Sequence, residues 1–160
     1  MISPAVVLIN PKKIDNLAGA LRACACFGID QLWYTGDRIT FPDRLPREFR
    51  HKDYKNVKIM HDPNPLSKMK RAKPVALEII PGTQNLVDFE HDFSHNVYVF
   101  GAEDSTIPSN ILRQCVSHVQ IPSNYCVNPA AAVYITLYDR TSKLERLTNP
   151  WRDYGHNLAS

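Results

Sequence analysis

Glycine is scarce, at six of 160 residues. None of the six falls in a GxGxxG or GxxxxGK[ST] pattern, so the two common phosphate-cradling loops are absent. HExxH and GxSxG are missing as well, which removes the zinc-peptidase helix and the strand-to-helix nucleophile elbow. The cysteines, Cys24, Cys26, Cys115 and Cys126, form no CxxC pair and no regular framework. That pattern argues against a disulfide-stapled secreted domain and for a reducing, cytoplasmic location. No apolar segment approaches the roughly 18 residues of a membrane span. In the opening MISPAVVLINPKK the lysines follow a short apolar run, the reverse of a secretory leader. His91 and His95 stand four apart in HDFSH, but Asp92, Phe93 and Ser94 between them read as a loop before a strand. No metal site is therefore expected.

What remains is a chain that folds on its own core. Apolar residues make up 44% and charged ones 22% of 18.2 kDa, which suits one domain over residues 1–148. The end, 149–160, has turn formers, mixed charge and no periodicity, and is expected to be a flexible tail. Net charge is +3, but its distribution is uneven. Between Arg38 and Lys73 stand eleven Lys or Arg against four Asp or Glu, the composition of a surface that attracts a phosphate backbone.

The periodicities alternate. AVVLI (Ala5 to Ile9) is a β-branched run suited to a strand covered on both faces. NLAGALRACACFG then repeats Leu17, Leu21, Cys24 and Gly28 at helical spacing, with Asn16 as N-cap and Gly28 as stop. QLWYTG returns to strand composition. VKIM (Val57 to Met60), VALEII (Val75 to Ile80), VYVF (97–100) and HVQI (118–121) add four strands. A short helix within STIPSNILRQC is expected to be capped by Ser105 or Thr106. Asn128 caps, and Pro129 opens, a last helix with Ala130, Val133 and Leu137 on one face. Six strands and at least three helices in this order predict an α/β domain: a mostly parallel sheet with helices on both faces and loops gathered at strand C-termini, where such sheets place ligands.

Three polar residues sit where chemistry could use them. Arg22 lies off the apolar stripe of the first helix and faces either a groove or plain solvent. Glu103 follows the exit of VYVF, placed to hold a ligand, to orient Arg22, or simply to turn in water. Asn128 caps its helix whatever else it does. In order, NLAGALRACACFG, VYVFGAEDSTIP and VQIPSNYCVNPAAAVYITLYD resemble the three motifs of the SpoU branch of the SPOUT RNA methyltransferases. Asn16 and Arg22 match the first motif, Phe100, Gly101 and Glu103 the second, and Ile121, Pro122 and Asn128 the third. Ala18 stands where the family usually has Gly, with Gly19 one place later. Ala102 and Asp104 to Thr106 replace the usual surroundings of the acid, and Cys126 replaces a Ser.

The resemblance implies a C-terminal deep trefoil knot whose loops bind S-adenosylmethionine, and a homodimer with its site near the subunit interface. It implies 2′-O-ribose methylation of structured RNA, tRNA in particular, as in the minimal wobble-ribose enzymes. The rival is a knotted RNA-binding protein that no longer transfers methyl groups. Carried over residue by residue, the resemblance gives catalytic roles to Arg22, Asn16, Glu103 and Asn128. It gives cofactor contacts to Leu77, Phe100, Gly101, Ala102, Ile121, Cys126 and Val127. Arg22, too basic for a free general base, is assigned to positioning and charge stabilisation.

Overall fold

The apolar run near the N-terminus becomes β1 (Ala5–Leu8), an interior strand of the sheet buried along its whole length. The structure, a computed structural model, describes residues 4–148; the segment from 149 to 160 lies outside the described residues. After β1 come α1 (Ile14–Cys26), β2 (Gln31–Tyr34), α2 (Arg47–Arg50), β3 (Lys58–His61), β4 (Lys73–Leu77) and β5 (Gln84–Asn85). The chain continues through β6 (Asn96–Phe100), α3 (Ser109–Leu112), β7 (Ser117–Gln120) and α4 (Pro129–Thr148). The strand order is β3-β2-β1-β6-β4-β7-β5, and every pairing among the described residues is parallel.

Side-chain alternation divides the core into two layers. Val6, Leu8, Val75, Leu77, Tyr98 and Phe100 face α1 and α4, with Leu17, Leu21, Cys24, Val133 and Leu137 across from them. Ala5, Val7, Ala76, Val97 and Val99 face the opposite layer, where Ile107 and Ile111 of the α3 region pack. Helices thus cover both faces of a parallel sheet.

Local chemistry sets the boundaries, and several differ from the sequence expectation. Lys13, not Asn16, is the N-cap of α1, and its side chain makes no capping bond. Gly28, at φ 70°, ends α1 as expected, and the Ile29 N–H reaches back to the Cys24 carbonyl at 2.9 Å in a Schellman-like closure. Pro108 is the N-cap of α3, so neither Ser105 nor Thr106 is. The VALEII strand stops at Leu77 because the next carboxylate, on Glu78, turns to accept from the Ile79 and Ile107 N–H groups. A seventh, two-residue strand, β5, was not legible. The basic section, expected to hold one strand, also contains α2 and short 3₁₀ turns at Lys52–Tyr54 and Pro65–Lys68.

Gly19, one place later than the family pattern, marks the crossing of α1 and α4. A Cβ there would lie 2.7 Å from the Ala130 Cβ, so only glycine permits this approach. Farther along α4, a buried polar cluster fixes the helix to the sheet. The His91 ring lies between the Tyr98 hydroxyl at 2.7 Å and Asp139 Oδ2 at 2.9 Å, and Lys143 reaches the same carboxylate at 2.7 Å. Arg140 donates to the Phe93 carbonyl at 2.7 Å.

That cluster makes stability depend on pH. Burial pushes the His91 pKa down from its ordinary 6.5, with Asp139 opposing and Lys143 and Arg140 assisting. The unfolded chain therefore binds a proton that the folded one refuses. The His91 contribution is complete above about pH 6.5 and is lost as pH falls toward the folded value. Melting curves between about pH 7.5 and 5 should show Tm falling less steeply in His91→Gln than in wild type. Parallel curves would remove His91 from the acid response.

Candidate active site

The ends of β4, β6 and β7 frame a cavity of about 690 Å³, and the loops leaving those strands form its walls. Its place follows from the parallel sheet: Leu77 and Phe100 are register partners at the last positions of β4 and β6, beside Val119 of β7. Leu77, Phe100, Gly101, Ala102, Ile121, Cys126 and Val127 all line it, together with Asn16, Glu103 and Asn128. Ten of the eleven residues singled out from sequence thus converge. Arg22 does not: it is exposed on α1, outside the cavity lining, and six positions beyond Asn16 places it about 9 Å farther along the helix.

A polar bridge holds the walls together. Asn16, inside the first turn of α1 and 5% exposed, donates through Nδ2 to Glu103 Oε1. It accepts from Asn128 Nδ2 at 2.8 Å. Glu103 also accepts the backbone N–H groups of Lys12 at 2.9 Å and Lys13 at 3.0 Å. Burial pushes the Glu103 carboxyl up, but the Asn16 hydrogen bond and those of the neighbouring backbone outweigh it, and its pKa falls below the ordinary value. Asn128 caps α4 as expected: its Oδ1 accepts the Ala131 N–H at 3.2 Å. Of the three roles left open for Glu103, orienting the Arg22 of its own subunit is not seen: its hydrogen-bond partners are Lys12, Lys13 and Asn16. It fastens the loop after β6 to the loop after β1.

Two further acids do similar work and were missed in the sequence. Glu78 ties the end of β4 to Ile107, as described above. Asp104 receives a bidentate pair from Arg38, both contacts at 2.9 Å, while Arg38 also donates to the Asn10 carbonyl. The guanidinium holds the Asp104 carboxyl below the usual carboxylate range. Glu78 had one signal available, an acid inside an apolar run; the partners of Asp104 lay 66 positions away. With all three carboxylates engaged in holding loops, the apolar side chains, main-chain groups and the polar side chains of Lys13, Ser105, Thr106, Gln120 and Ser123 are left to meet a ligand.

Gly101 is a tightly packed point of the wall. A Cβ there would stand 3.2 Å from the Ser105 carbonyl and 3.4 Å from Glu78 Oε2, so a methyl requires the loop to give by a few tenths of an ångström and a branched side chain requires more. Gly36 is also restricted, at φ 75° against the Asn10 side chain, but it is not part of the cavity. Gly101→Val should therefore weaken ligand binding at the cavity by about tenfold or more at modest cost in Tm, as expected for overpacking that must shift the loop. Gly36→Val should lower Tm and leave affinity near wild type, because its strain is local and remote from the ligand. Calorimetric titration of both folded variants checks the contrast, and equal losses of affinity would contradict it.

Among the described residues no group of His, Cys, Asp and Glu could hold a metal ion. Among the described residues no helix is long and apolar enough to cross a membrane.

Residues 3–138 match the family model described as the SpoU rRNA Methylase family. No curated protein matches the sequence. Solved structures are similar at low identity. The A. aeolicus TrmH/SpoU tRNA modifying enzyme superposes with a TM-score of 0.78 at 20% identity, over 92% of this chain and 78% of that one. The AdoMet-bound rRNA methyltransferase from Sinorhizobium meliloti gives 0.74 at 18%, over 90% of this chain and 58% of its own length. A structure described as giving insights into the 2-OH methylation of C/U34 on tRNA gives 0.72 at 20%, over 90% and 92%. This chain thus spans under two thirds of the rRNA methyltransferase and nearly all of the last protein.

Proposed function

The chain belongs to the SpoU rRNA methylase family, and from that premise we propose that it transfers a methyl group from S-adenosylmethionine to a ribose 2′-hydroxyl of structured RNA. The observation that carries this proposal is the convergence of three separate motifs on one cavity, joined by the Asn16, Glu103 and Asn128 bridge. The cavity falls within the roughly 300–1,000 Å³ of small-molecule sites. Its apolar surfaces, the side chains of Leu77, Ile121 and Val127, together with the backbone from Phe100 to Ala102, suit the adenosine part of S-adenosylmethionine, and Lys13, Gln120 and Ser123 in the same lining offer polar groups to its charged methionine end. When bound, S-adenosylmethionine supplies an electrophilic methyl on a sulfonium. The protein's part is to hold the reactants in line, to keep water away with the apolar walls, and to stabilise charge on the ribose oxygen.

Arg22 is the residue for that last role. Its guanidinium has no hydrogen bond or ion pair among the described residues, so it is free to meet a phosphate or a developing oxyanion. The cavity of its own subunit is out of its reach. A homodimer completes the site in this proposal, Arg22 of one protomer serving the cavity of the other. Support comes from α4, which exposes Ile135 (39%) and Tyr138 (64%), with Phe27 edge-on to Tyr138 at 6.5 Å. The deep trefoil knot belongs to the same proposal. Loops after β4, β6 and β7 close round one cavity while α4 returns across α1, the arrangement that a threaded C-terminal segment would produce. The tRNA wobble ribose is the favoured target, supported by the similar extent of this chain and the C/U34 protein.

Incubation with labelled S-adenosylmethionine and total RNA, followed by nuclease digestion and mass spectrometry, tests the reaction. Label in a 2′-O-methyl nucleoside is the expected result. Label on a base would sink the ribose assignment. RNA affinity without cofactor binding would leave only the binding protein.

A further inference from the structure

The basic section is not uniform once its partners are known. Lys73 pairs with Asp92 at 2.7 Å, Lys68 lies 3.9 Å from Asp62, and Arg38 is bound to Asp104. Lys73 also opens β4, at the end of the sheet opposite the cavity. Arg44, Arg47, Arg50, Lys52 and Lys55, by contrast, have no ion pair among the described residues.

Four residues of this unpaired group's stretch, with Asp53, line a notch of about 340 Å³: Arg47, Arg50, His51 and Lys52. Two of them are already oriented. Arg50 donates Nε to the Leu45 carbonyl at 3.3 Å, which leaves its two terminal nitrogens without a protein partner. The His51 ring stacks on Tyr54 with centroids 4.4 Å apart, and its Nδ1 accepts the Asp53 N–H at 3.3 Å. In the neutral ring the proton must then sit on Nε2, as a donor. The notch therefore offers guanidinium, ammonium and imidazole donors against one carboxylate, and the Asp53 side chain is 83% exposed to water. That donor set matches a phosphate diester.

Its position bears on the reaction. α2 and the Lys52–Tyr54 turn both pack on α1. The helix that carries Arg22 is thus the one against which both notch-bearing elements pack.

We propose that the notch seats a backbone phosphate of the RNA whose ribose is presented to Arg22. The inference rests on the methyl-transfer function and adds how the substrate is held. Arg47→Gln/Arg50→Gln is compared with Lys68→Gln/Lys73→Gln, using a mixture of unmodified tRNA transcripts at several NaCl concentrations. The notch variant is expected to raise the RNA KM by about tenfold or more, with kcat and S-adenosylmethionine affinity retained. It should also reduce the slope of log affinity against log salt by about one, the loss of one phosphate contact. The paired-lysine variant should change both less. Unchanged RNA KM and salt slope in the notch variant, with wild type methylating normally, would overturn the notch alone. A wild type that transfers no methyl group while the notch variant still loses RNA affinity and slope would support the notch and remove the methyl-transfer function instead.

Discussion

Arg22→Ala is expected to lower single-turnover methyl transfer by roughly 10²-fold or more while S-adenosylmethionine affinity and Tm stay close to wild type. Each half of that expectation has its own cause. Arg22 is exposed and unpartnered, so truncation removes no native contact and should change stability by no more than about 0.5 kcal/mol. It lies outside the cavity, so the cofactor should not sense its loss. Only the step in which charge develops on the ribose oxygen should suffer. Arg22→Lys should recover little, because an ammonium cannot reproduce the planar fork. A mixing experiment also tests the dimer: at cofactor concentrations too low to fill the Gly101→Val cavity, Arg22→Ala and Gly101→Val protomers, each impaired alone, should gain activity together because one mixed site combines both intact parts. Wild-type turnover in folded Arg22→Ala would remove this arginine from the mechanism.

Glu103→Ala should have the largest effect on the cavity itself. It leaves the N–H groups of Lys12 and Lys13 and the Asn16 amide without their acceptor, and it releases the loop after β6 from the loop after β1. Orphaned donors cost about 1–3 kcal/mol each when buried, less at this partly exposed rim. Cofactor affinity should fall by more than tenfold and Tm should drop measurably. Glu103→Gln should fall between: its carbonyl can replace Oε1 for Lys13 and Asn16, while its NH₂ would then confront the Lys12 N–H. The order wild type, Gln, Ala in both calorimetry and melting supports this account. An Ala variant with wild-type affinity would make the bridge ornamental to binding.

Part of this arrangement was legible because it depends on local pattern. Continuous β-branched runs gave β1 and β6, the helical stripe gave α1, and the Asn-Pro pair gave the start of α4, since each signal acts within a few residues. Asn16 misled for the same reason. Its spacing before an apolar stripe looks like a cap, yet its partners are Glu103, 87 positions on, and Asn128, 112 positions on. No local rule carries that information. The basic section shows the same limit. Eleven cations were countable, but which of them an acid would neutralise depended on contacts such as Lys73 with Asp92, 19 positions away. Glu78 was visible as an acid in an apolar run, but its acceptance of the Ile107 N–H was not.

The span of the Asn16 bridge also sets when, during synthesis, the protein can recognise its ligand. A nascent chain that ends just beyond β6 contains Asn16 and Glu103, yet lacks Asn128, the third wall of the cavity and the helix that crosses at Gly19. Until α4 emerges there is no pocket, so cofactor in the cell cannot favour the folded form of the growing chain. Afterwards it can, by about 2.7 kcal/mol at a hundred times Kd. Destabilising substitutions in the first hundred residues must therefore be survived on chaperones and packing alone until then, and ligand can rescue only chains from which α4 has already emerged.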